Sequence, residues 1–167
     1  MVSNELGFDK DRFEAVWRRV TSENVGVGDT YCAKPPVDGD NDLCRLMDTT
    51  ALNERHCRTL ARISPRYMAK ALHSMADDNC RQVKRLRTMH FIVTGVTYRP
   101  DVTGELFHNV SDGLRTIYGG ASTAERGFHA AAKTSKQPEF ADTYREFANI
   151  KRRHAERIGR MLEHMIK

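Results

Sequence analysis

The chain has 167 residues, of which 40% are hydrophobic and 29% charged, a balance that excludes a disordered or low-complexity protein and suits one domain with a sizeable core. Lys and Arg number 27 against 22 Asp and Glu, and the resulting +5 permits contact with nucleic acid without arguing for it. No apolar run reaches the roughly 20 residues that cross a bilayer, and the N-terminus carries no signal-peptide core; the expectation is a cytoplasmic protein with no membrane partner.

Only 5 Pro and 11 Gly, with Ala, Arg, Leu and Met prominent, favour helices over a β-sandwich. In chain order, Asp9 is placed to cap a short helix over about 10–20, with Phe13, Val16, Trp17 and Val20 on one face. The Gly-, Pro- and Asp-rich stretch 21–42 has no periodicity and reads as a linker wrapping the main body, so the chain divides into 1–42 and a helical unit, 43–167. Four long helices follow. The first covers about 43–62, carrying Leu43, Leu46, Met47, Leu52 and Leu60. Ser64-Pro65 gives an N-cap and a first-turn proline for a second helix that runs to Thr94 and stops at Gly95. A connection of about eight residues, VTYRPDVT, leads to a third helix capped by Thr103 and reaching Lys133, and Pro138 opens a fourth that runs almost to Lys167. Helices of about 30 residues measure roughly 45 Å, and four of them in up-down alternation make a bundle.

The four cysteines, Cys32, Cys44, Cys57 and Cys80, form no C-x-x-C pair and are expected as free thiols packed like small apolar groups, a redox pair of Cys57 with Cys80 being the alternative. His56, His73, His90, His108 and His164 share no metal-ligand spacing on one face and read as surface or interface residues. Gly119-Gly120 inside the third helix would cost about 1.5–2 kcal/mol relative to Ala, so a close helix contact or a π-bulge is expected there.

An internal repeat ties the two halves together. Ala76-Asp-Asp-Asn-Cys-Arg-Gln-Val-Lys-Arg-Leu86 aligns with Ala148-Asn-Ile-Lys-Arg-Arg-His-Ala-Glu-Arg-Ile158 through identities at Ala76/Ala148, Arg81/Arg153 and Arg85/Arg157, continued by Met89/Met161. Pro65 and Pro138 start these helices at nearly the same offset, as expected for helix pairs related by a pseudo-twofold axis. With the segments FEAVWRRV, ALHSMADDNCRQVKRLRTMHFIVTG and FADTYREFANIKRRHAERIGRMLEHMI, this repeat resembles the ferritin-like superfamily, in particular small bacterial rubrerythrin-like proteins without a rubredoxin tail. The resemblance implies an all-α, ferritin-like four-helix bundle. In that family a di-iron or di-manganese centre takes one Glu from the first and third helices and Glu-x-x-His from the second and fourth.

Carried onto this chain, those ligands fall at Thr50, Asn79 with Gln82, Ala121, and Lys151 with His154. A pair of divalent ions brings +4, and here no carboxylate meets it while Lys151 adds a cation, so the expectation is a metal-free bundle with a structural, scaffold or ligand-binding role and no cofactor. Iron or manganese at a shifted site is the alternative, which would make the chain a rubrerythrin-like oxidoreductase acting on peroxide or dioxygen. Glu54 lies four residues after Thr50, Glu125 four after Ala121 and Asp78 four before Gln82, so these three acids move one turn toward the same bundle end, where His154 could join them. Ion pairing with Lys151 or neighbouring arginines is their plainer role. A nucleic-acid-binding bundle is the third reading, resting on Arg81, Lys84, Arg85, Arg87, Arg152, Arg153, Arg157 and Arg160, which no aromatic interleaving accompanies. Long bundle helices also permit a homodimer.

Overall fold

The computed structural model describes residues 40–104 and 106–166, and the short helix and most of the linker expected before them lie outside the described residues. Four helices are present and no strand among the described residues: α1 (Asp40–Ala61), α2 (Arg66–Thr94), α3 (Val110–Thr134) and α4 (Pro138–Ile166). No described helix is long and apolar enough to cross a membrane.

Local chemistry sets most of the boundaries. α1 begins at Asp40, inside the stretch read as linker, and Asp42 in its first turn suits the positive end of a helix dipole. α2 ends as expected: Gly95 adopts φ 75°, and its N–H donates to the Phe91 carbonyl. Its start differs. Pro65 itself occupies the N-cap, while the Ser64 hydroxyl turns back and donates to the Leu60 carbonyl of α1 at 2.7 Å. A hydroxyl four residues past an unsatisfied carbonyl serves the end of the helix behind it as readily as the start of the one ahead.

The largest correction concerns α3. It starts at Val110, capped by Asn109, whose side-chain oxygen accepts from the Asp112 N–H at 2.8 Å; Thr103 lies in irregular backbone. The connection is therefore 95–109, and it runs beside α1 rather than turning back directly. Tyr98 donates to Asp48 (2.8 Å), the Val102 carbonyl accepts from Arg55 (2.9 Å), and Phe107 packs edge-on against His56 with centroids 5.2 Å apart. These contacts climb α1 in order, so the strap carries the chain from one end of the bundle to the other. Roughly 15 residues at about 3.3 Å each have ample reach for that. The order is thus up, down, crossover, down, up, not continuous alternation. Asn109→Ala should cost about 1 kcal/mol in chemical denaturation, because the cap alone satisfies that amide; an unchanged midpoint would mean the strap, not the cap, fixes the start of α3.

Glycines set how α1 meets α3. Gly113, Gly120 and Gly127 recur every seven residues, and their faces meet Leu60, Asn53 and Leu46, which recur every seven residues in the opposite direction. A Cβ at Gly127 would stand 3.0 Å from Leu46, and at Gly113 and Gly120 it would collide with Leu60 and the Asn53 carboxamide oxygen. The seam lets the backbones approach and fixes an antiparallel register. Gly119, by contrast, faces open space, and α3 is regular through both positions. Of the two alternatives for the glycine pair, the close contact is found, and it belongs to Gly120.

The core is formed by two apolar clusters. One gathers Leu60, Met68, Leu72, Met75, Leu114, Ile117 and Ile158 toward the α1–α2 turn; the other gathers Leu46, Met47, Leu86, Met89, Phe128, Tyr144 and Phe147 toward the α3–α4 turn.

Candidate functional site

Between the two clusters, each helix contributes a short buried interval. From Met47 to Cys57 on α1 these residues are Thr50, Asn53 and His56; from Ala76 to Leu86 on α2, Asn79 and Gln82. On α3 the interval holds Ala121, and on α4 it holds Lys151, His154 and Ala155. The middle of the bundle is thus a polar layer sandwiched between apolar halves. All six positions to which the family's metal ligands map, Thr50, Asn79, Gln82, Ala121, Lys151 and His154, are in it.

Lys151 dominates the layer's electrostatics. It is 1% exposed, its ammonium donates to the Asn79 carboxamide oxygen, and it stands 6.0 Å from the centroid of the Phe128 ring. Burial pushes its pKa down from 10.5 to about 7, against the upward pull of the Asp78 carboxylate. The Cys57 thiol, also buried, is pushed up to about 12, which leaves it protonated and unreactive. Cys57 and Cys80 form no disulfide, and Cys32 lies outside the described residues.

Around this cation the layer is short of partners. The Thr50 hydroxyl, the Asn53 amide nitrogen and both polar atoms of Gln82 are buried with no hydrogen-bond partner among the described residues. At the rim, His154 Nε2 lies 3.0 Å from an Asp78 oxygen, and Arg81 takes the other oxygen. Burial lowers the His154 pKa even though this bond works to raise it. For Asp78, burial works upward but is outweighed by His154 and Arg81, which hold the carboxyl below its ordinary value.

The three acids considered for a shifted centre are occupied individually. Glu54 pairs with Arg58 at 3.1 Å, Asp78 with His154 and Arg81, and Glu125 faces His129 at 3.9 Å. Asp78 and His154 are brought together, but no three His, Cys, Asp or Glu side chains form a metal-holding group among the described residues. The positions onto which the resemblance carries di-metal ligands fit no better. They offer no carboxylate, the cation Lys151, and one imidazole whose Nε2 faces Asp78, a donor set unsuited to divalent ions.

Two histidines depart from expectation. His56 and His90 are buried, not on the surface: His56 stacks edge-on with Phe107, and His90 Nδ1 lies 2.9 Å from the Val96 carbonyl where the strap begins. Both serve the crossover, and a sequence reading that looks for ligand spacing passes over them. On the basic outer faces Arg81 pairs with Asp78, and Arg85 donates to Glu146 and Thr143 while lying over the Phe147 ring. Comparison with protein-family models, with curated proteins and with solved structures finds no match to this chain.

Proposed function

We propose that this chain is a ferritin-like bundle that works without a di-metal centre, as a structural or small-ligand-binding protein in which Lys151 holds the place the metals occupy in that family. The observation that carries the reading is the buried Lys151 ammonium on Asn79, at mid-bundle, with no ion pair to a carboxylate among the described residues. Two further features support it. A four-helix bundle with one long crossover is the connectivity of ferritin-like folds. The internal repeat sets Asn79 on Lys151, and these two residues bond to each other, as equivalent residues do at a twofold axis. Repeat partners also fall in opposite clusters: Leu86 and Ile158 sit at different ends, as an axis perpendicular to the bundle requires.

Charge weighs against metal. Two divalent ions beside a protonated Lys151 would bury about +5 with no carboxylate in the layer to offset it, at a cost of several kcal/mol per uncompensated charge. Protein produced with iron and manganese supplied in excess should contain far less than one metal ion per chain by elemental analysis. Two per chain would end this reading.

A further inference from the structure

The polar layer presents hydrogen-bond donors far in excess of the acceptors that meet them. Lys151 has three ammonium protons and one protein acceptor, the Asn79 carboxamide oxygen. The Thr50 hydroxyl, the Asn53 amide nitrogen and the Gln82 amide nitrogen are each buried with no acceptor among the described residues, the Gln82 amide oxygen is the one unmet acceptor among these groups, and Thr50, Gln82 and Lys151 are at most 2% exposed. Leaving such donors unsatisfied in a core is costly, and a buried ammonium without a counter-charge is costlier.

We propose that this layer binds one small monovalent anion of chloride size, held between the Lys151 ammonium and the donors of Thr50, Asn53 and Gln82. An anion satisfies several donors at once and neutralises the cation, which a water molecule cannot do. The charged and titratable groups facing Lys151 are few. From α1 there is Cys57, a protonated thiol; from α2 there is Asp78; and on α4 there is His154. The buried residues of α3 include no titratable group. Asp78 is the acid that would compete with a bound anion, and it is turned to the rim, where its oxygens are taken by His154 and Arg81. The site is closed, so an anion enters by transient opening of the helices and exchanges slowly.

The inference rests on the metal-free reading above, and one set of measurements separates the two. Thermal unfolding at pH 6 is compared in sodium chloride and in sodium gluconate at matched ionic strength, gluconate being too large for the layer. Chloride should raise Tm by a few degrees, with a dependence that saturates as mass action requires. The difference should shrink by pH 9, where the amine is neutral, and vanish in Lys151→Met. Crystals grown in sodium bromide supply a readout that needs no variant: an anomalous peak is expected within hydrogen-bonding distance of Lys151 Nζ. Equal Tm in the two salts, or density fitted by water alone, would overturn the anion site while leaving the metal-free bundle standing. Two metal ions per chain in the same preparation would remove both.

Discussion

Replacing Lys151 with Met should make the bundle more stable than the parent protein at pH 6 and less stable at pH 9. Burial lowers the lysine's folded-state pKa to about 7, against 10.5 for the exposed group. The penalty for burying the ammonium is therefore fully present below pH 7 and is relieved as pH rises from 7 toward 10.5. In the parent protein, stability should climb by about 1 kcal/mol per pH unit over the lower part of that range. The window from 7 to 9 isolates the effect. Cys57, raised to about 12 from 9.0, contributes stability that begins to fall only once the unfolded thiol ionises above pH 9. Asp78 and His154 both have lowered values, so their contributions change on the acid side.

Methionine fills a similar volume and carries no charge, so the variant's stability should be nearly flat from 7 to 9. It also leaves the Asn79 oxygen without its donor, a cost of about 1–3 kcal/mol at every pH. By pH 9 about two pH units of the parent's climb have been recovered, while the cost of the orphaned oxygen is unchanged. At pH 6 it is outweighed by removal of the buried cation, and the variant should lead by about 1–2 kcal/mol. Urea denaturation of both proteins across the range, in chloride-free gluconate buffer so that no bound anion offsets the cation, measures the crossing; parallel curves would refute a lysine whose charge is penalised by burial.

Alanine at two adjacent positions in α3 should act with opposite signs. Gly119 faces open space, so Gly119→Ala gains helix propensity alone and should stabilise by about 0.5–1 kcal/mol. Gly120 lies on the seam with α1, where a Cβ collides with the Asn53 side chain. The same propensity gain is present in Gly120→Ala, but the collision forces Asn53 or the helix spacing to move, and a net loss of about 1–2 kcal/mol is expected. Pairing Gly120→Ala with Asn53→Ser should recover most of the loss, since the shorter side chain withdraws from the contact. Equal effects at the two positions, read from denaturation midpoints, would mean that α1 and α3 do not meet along this line.

The helices themselves were legible because each writes its own signals. Gly95 stops α2 and Pro138 opens α4 through backbone preferences that act within a few residues. Asn79 and Lys151 stand at corresponding positions of the two aligned segments, but only the tertiary structure shows them bonded to each other. The strap was not legible. Residues 95–109 carry no periodicity, and nothing in VTYRPDVT states whether the chain turns back or crosses the whole bundle. The glycine seam was present in the sequence as Gly113, Gly120 and Gly127, yet it gains meaning only against Leu60, Asn53 and Leu46. Reading Gly119 and Gly120 as one feature hides it, since only one of them meets a neighbour.

What this sequence determines by itself is that four long helices form, where α2 ends and α4 begins, which stripe of each is apolar, and that the interval between apolar stretches holds amides and a lysine rather than acids. These follow from preferences that operate over one or two turns. The tertiary structure alone decides that α3 runs against α1, that His56 and His90 go inside with the strap, and that Glu54, Asp78 and Glu125 are taken up by separate partners. Those outcomes depend on which helix faces come within hydrogen-bonding reach, and that is fixed by close packing across the whole bundle.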